Sequence, residues 1–156
     1  MLSVDEFSVG YFSDALPGSL ILPRNDREEA ALIGRFRDEP CAVLLSGQFV
    51  WQTFPLTGNV RWSGLIVPGV RIELDEGSLF DPIYGAPIGS IQRSGTVLTI
   101  RSKSDASTSA IQVLICDGLP PLNNHSAGFS QWQVVLGFGD QKRVLWRSHS
   151  EQDETK

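Results

Sequence analysis

The chain has 156 residues, a formal net charge of −5, 41% hydrophobic residues, 15 glycines and 9 prolines. That length supports one domain with its own core and no covalent staples. The acidic balance speaks against nucleic acid and against an anionic membrane surface, since both recruit basic faces, and no apolar run approaches the roughly 20 residues that span a bilayer.

Residues 1–18 hold Val4, Phe7, Val9, Tyr11 and Phe12 in partial alternation, which predicts an opening strand closed by Leu16-Pro17-Gly18. Asp5 and Glu6 stand where a secretory leader carries positive charge, and no continuous apolar segment follows; a cytoplasmic protein is the expectation. After the short apolar run Ser19–Pro23, Asn25 or Asp26 is placed to cap a helix through Arg27–Ile33. Glu28 and Glu29 would sit near its positive end and Gly34 would stop it. One short helix near 26–34 is therefore expected in an otherwise β chain.

Cys41–Leu45 is uninterrupted by polar residues and reads as a strand buried on both faces. Phe49–Phe54 alternates with large aromatics, Pro55–Asn59 has turn chemistry, and Val60–Val67 resumes a strand. Phe49, Trp51, Phe54 and Trp62 form the candidate binding set, because aromatics are enriched where proteins meet partners; the competing reading of the same rings is the core of a sheet.

The clearest patterning lies between Trp62 and Arg101. Val70-Arg71-Ile72-Glu73-Leu74-Asp75 alternates strictly, which turns Val70, Ile72 and Leu74 inward. Ser94-Gly95 separates two further strand-like runs and predicts a hairpin, since glycine supplies the positive φ of a tight turn. Between them Asp75, Glu76 and Asp81 gather around Gly77, and hard cations take several oxygen ligands on a curved loop. These three are the candidate ligands for a divalent cation, although their spacing is not that of an EF-hand; a solvated acidic turn accounts for them equally. No other cofactor is implied.

Ala110–Cys116 predicts another strand. Residues 117–128 then run without any period, and long aperiodic loops are disproportionately functional. Asn124 and His125 in that loop join the candidate binding residues. Cys116, His125 and Asp117 contain the ingredients of a nucleophile, a base and an orienting acid, but a thiol ending an apolar strand is ordinarily inert packing. Phe129–Phe138 predicts a strand with Trp132, Val134, Leu136 and Phe138 on one face, Arg143–Arg147 a last one, and 148–156 a frayed polar tail.

Some eight to ten strands at the turn spacing of an all-β fold predict an antiparallel sandwich or closed barrel. The sequence has two histidines and no Walker, Rossmann, nucleophile-elbow or paired-cysteine motif. The expectation is accordingly a non-enzymatic β module that binds a protein partner or assembles with itself. A binder of a small apolar ligand or carbohydrate is the alternative, and an enzyme using the acidic loop or the Cys–His pair the second alternative.

Overall fold

The computed structural model describes residues 2–25, 28–57, 62–104, 109–121 and 126–148. Asn124, His125 and the tail from 149 onward, all singled out above, lie outside the described residues.

The chain is antiparallel β, as its turn-punctuated patterning predicts. The strands in chain order are β1 (Ser8–Tyr11), β2 (Leu20–Leu22), β3 (Ala31–Phe36), β4 (Glu39–Leu44), β5 (Thr53–Pro55), β6 (Ser63–Val67), β7 (Arg71–Leu74), β8 (Leu79–Phe80), β9 (Ile91–Ser94), β10 (Val97–Lys103), β11 (Ala110–Cys116), β12 (Ala127–Phe129), β13 (Trp132–Leu136) and β14 (Arg143–Arg147). An 11-stranded sheet runs β1-β6-β2-β3-β11-β10-β9-β12-β8, with β4 and β5 branching from β3, and a 3-stranded sheet runs β14-β13-β7. The large sheet ends on β1 and β8 and does not close on itself. The barrel alternative is thereby overturned.

Asp26 and Arg27, at the start of the expected helix near 26–34, lie outside the described residues; from Ala31 the chain is instead the strand β3, the junction of the large sheet. One edge of β3 pairs with β4 along its whole length; the other is divided between β2, at Ala31 and Leu32, and β11, at Arg35. Ala31, Leu32 and Ile33 are all fully buried. A strand buried on both faces reads as a continuous apolar run, which periodicity alone does not separate from a short buried helix. Gly34 is no helix stop. A Cβ there would meet the Leu114 carbonyl oxygen at 2.6 Å and Val113 Cγ1 at 2.7 Å, so glycine admits β11 at the point where β2 leaves off.

Two cores follow from this junction. Leu20, Leu32, Cys41 and Val43 face one of them, together with Ile91, Leu98, Ile100, Val113, Trp132 and Val134. Ile21, Ala31, Ile33, Ala42 and Leu44 face the other, with Phe12, Leu56 and Ile66. The both-faces reading of Cys41–Leu45 is therefore correct. Val70, Ile72 and Leu74 pack against the first core as their alternation predicts.

The hairpin at Ser94-Gly95 is present: Ser94 pairs with Val97 across Gly95-Thr96, with Gly95 at φ 54°. A second tight hairpin, not marked by glycine, joins β3 to β4 through Arg37 (φ 54°) and Asp38 (φ 64°), the two positive values that a type I′ turn requires.

Two expected strands are redrawn. Residues 46–51 form turns, and the chain doubles back so that Trp51 N donates to the Leu44 carbonyl at 2.7 Å. Phe129–Phe138 is not one strand either. β12 belongs to the large sheet and β13 to the small one, and a bulge between Val134 and Val135 breaks the alternation and buries both valines. Ser148, expected in the frayed tail, is buried and its Oγ accepts from Trp132 N at 2.8 Å.

Candidate functional site

Three of the four candidate aromatics converge. Phe49 comes from the turn after β4, Phe54 from β5, and Trp62 from the residue before β6. With Phe12 and Leu44 they line a concave pocket of about 570 Å³ whose rim carries Glu28, Glu29, Gln52 and Ser63. The Trp62 ring stands edge-on to Phe54 at 4.8 Å between centroids and edge-on to Phe12 at 5.9 Å, the T-shaped arrangement that ring quadrupoles favour. Phe49 is 46% exposed and Trp62 44%, while Phe12 and Leu44 are buried beneath them. The pocket is thus an apolar floor with two aromatic walls left facing solvent.

Local chemistry explains how the walls are held. Asp14 Oδ2 accepts from Tyr11 N at 3.0 Å and turns the chain into a short 3-10 segment that starts at Phe12, whose amide donates to the Trp62 carbonyl at 2.8 Å. On the rim, Arg24 Nη2 donates to Glu28 Oε1 at 2.6 Å and to Ser63 Oγ at 2.7 Å, tying the segment before β3 to β6. The Arg24 guanidinium, followed by the Arg24 backbone amide, holds the Glu28 carboxyl below the usual carboxylate range, and the guanidinium offsets its charge. Phe12 and Glu28 were not in the sequence-based set. The signal that marks Phe12 is the aspartate two residues after it, a turn former inside what reads as a strand.

Trp51 goes elsewhere. Its ring lies 6.2 Å from Trp132 and 6.0 Å from Trp146, which are themselves 4.7 Å apart. This trio packs against the first core on the far side of β4 from the pocket. Trp132 Nε1 donates to the Gly89 carbonyl at 2.8 Å. Trp51 is half-buried and packs on the core.

The candidate cation ligands are turn-makers. Asp75 Oδ1 accepts from Gly77 N at 2.9 Å and Asp81 Oδ1 from Ile83 N at 3.1 Å, each capping its own 3-10 turn. Among the described residues no three His, Cys, Asp or Glu side chains are gathered to hold a metal ion. Both cysteines are free; Cys41 is buried, which pushes its thiol up to about 12, and Cys116 is half-buried. They lie on β4 and β11, strands two steps apart across β3 and so about 10 Å from one another, beyond disulfide reach.

No helix among the described residues is long and apolar enough to cross a membrane. No solved structure matches the chain. A protein of Sinorhizobium fredii described as "Uncharacterized protein y4lG" is 47% identical over 158 aligned positions, covering 100% of this chain and 98% of the relative. The family model "Uncharacterised protein y4lG" matches residues 9–156, and with it this chain, both cores and the Phe49–Phe54–Trp62 pocket included, belongs to the y4lG family.

Proposed function

We propose that the chain is a non-enzymatic β module that docks a protein partner, in the first instance a second copy of itself, through the pocket of Phe12, Leu44, Phe49, Phe54 and Trp62. The observation that carries this reading is the convergence of Phe49, Phe54 and Trp62, from three different turns and strands, on one concave surface with two rings exposed. Interfaces concentrate their free energy in such anchors and the pockets that receive them.

Light scattering coupled to size-exclusion chromatography tests it, over protein concentrations from about 1 to about 100 μM. The expected result is a mass that rises with concentration and a Trp62→Ala variant that stays monomeric with an unchanged circular dichroism spectrum. Loss of Trp62 at the centre of the patch should weaken association by about 2 kcal/mol, roughly 30-fold. Wild-type protein that remains monomeric throughout, with Trp62→Ala indistinguishable from it, removes self-association from the proposal.

A further inference from the structure

The small sheet ends on β7, and the direction of that strand's free backbone groups follows from its pairing. Asp75 N donates to the Gln131 carbonyl at 3.0 Å, whereas the next carbonyl, that of Trp132, turns towards β14 and accepts from Ser148 N at 2.9 Å. Hydrogen-bonded and non-hydrogen-bonded pairs alternate along an antiparallel ladder. Glu73 and Arg71, opposite Gln133 and Val135, are therefore bonded to β13, while the amides and carbonyls of Ile72 and Leu74 point the other way. Among the described residues no strand pairs with β7 on that side. A cavity of about 650 Å³ lies there instead, lined by Val70, Ile72 and Leu74 together with Leu98 and Leu119.

A free edge of this kind recruits another strand, and natural sheets blunt it with proline, a bulge or an inward-pointing charge. β7 has none of these. Its register with β13 is unbroken, and Ile72 and Leu74 pack towards the first core. Arg71 and Glu73 share the outer face, 3.4 Å apart, with opposite charges two residues from one another. The remaining edges differ: β1, β5 and β8 carry no charged residue and β14 carries only arginines.

We propose that β7 is a second self-association surface, at which the β7 strands of two copies pair antiparallel about a two-fold axis at Ile72. Ile72 then meets the partner's Ile72, and Val70 meets the partner's Leu74, in hydrogen-bonded pairs made by the groups that β13 leaves free. Arg71 lies opposite the partner's Glu73, and Glu73 opposite the partner's Arg71, in the non-hydrogen-bonded pairs where side chains approach most closely. This register is the complementary one. A shift of two residues sets arginine against arginine or glutamate against glutamate, and a shift of one places charged residues opposite apolar ones.

One short strand makes a contact far below the roughly 1,000 Å² of a stable interface, so the pairing alone works at about millimolar concentration. It strengthens wherever the aromatic pocket already holds copies together, since linked partners meet at millimolar effective concentration. The surface itself does not depend on that pocket, which lies against the other core.

The test therefore uses Trp62→Ala, followed by light scattering and by residue-resolved amide exchange from about 0.1 to about 2 mM. The average mass is expected to rise towards that of a dimer. Amide exchange at Ile72 and Leu74 should slow about 2-fold over this range, as a dissociation constant of about 1 mM requires, while Arg71 and Glu73 stay protected throughout. Adding Arg71→Glu or Glu73→Arg separately should weaken association at least about 10-fold. An equal mixture of the two variants should recover it to within about 3-fold, because each reversed charge meets its opposite in the other copy. Exchange at Ile72 and Leu74 that ignores concentration overturns the proposal without any charge variant having to fold. So does association that survives either reversal, or that the mixture does not restore. Should Trp62→Ala still associate below about 100 μM, the aromatic reading fails and the exchange at Ile72 and Leu74 decides this one separately.

Discussion

Trp51 is the residue whose placement most separates the pattern from the structure. In sequence it is one aromatic among four; in space it sits at φ 69°, a left-handed conformation that is a true outlier for so large a side chain. Such backbone persists where the surroundings over-determine it. Here the Leu44 carbonyl takes its amide at 2.7 Å, its own carbonyl takes Lys103 N at 2.8 Å, and two indoles enclose its ring. Truncation leaves the strained turn without its anchor and a void beside Trp132 and Trp146. Trp51→Ala should destabilise the fold by about 3–5 kcal/mol, read as a lower denaturant midpoint. The same substitution at Trp62, which is nearly half exposed, should have a much smaller effect. That contrast checks the division of the aromatic residues into core and pocket.

Among the elements, β3 carries the architecture, and it is where local pattern and structure part. Ala30-Ala31-Leu32-Ile33 follows capping residues and precedes glycine, the outline of a helix, yet all four are buried and the last three open a strand of the large sheet. Local propensity lost to burial on two faces, a circumstance set by β2, β4 and β11, which lie elsewhere in the chain. Where the environment is one-sided the pattern was legible: Arg71–Leu74 and the Gly95 hairpin came through intact. The pocket was half legible. Phe49, Phe54 and Trp62 declare themselves by residue type, but their convergence depends on how β4, β5 and β6 are brought together, and no spacing encodes that. The Arg37-Asp38 turn carries no glycine, and an arginine at its first position is not a usual occupant of a type I′ turn, so the residues do not announce it. The junction itself can be tested. Gly34→Ala forces a methyl group into the Leu114 carbonyl and Val113, and should cost about 1–3 kcal/mol by overpacking, seen in thermal or denaturant melts.

Across the whole molecule, electrostatics ties the small sheet together and links the N-terminal segment to it. Glu73 on β7 accepts from Gln133 at 2.9 Å and from Lys142 at 3.1 Å, while Glu6 pairs with Arg143 at the start of β14. Gln133 first and then Lys142 lower the Glu73 carboxyl; Arg143 first and then the Ser3 amide lower Glu6. A carboxyl depressed by folding contributes stability in full above its unfolded value of about 4.5 and loses it as the pH falls through the lower folded value. The denaturant midpoint should therefore be flat through neutrality and decline on the acid side of that value, and Glu73→Gln should shallow the decline. These carboxylates are only partly buried and open to solvent, so added salt should weaken the effect.

The divided edge of β3 also has a consequence in time. Its contacts with β2 and β4 close loops of a few residues, whereas Leu114 reaches Arg35 only after about eighty residues have been drawn together, an added entropic cost of about 2 kcal/mol. The β2–β3–β4 unit can assemble early. The β9–β10–β11 meander can form on its own hairpins, and its joining to β3 beside Gly34 is among the late, long-range pairings of the fold.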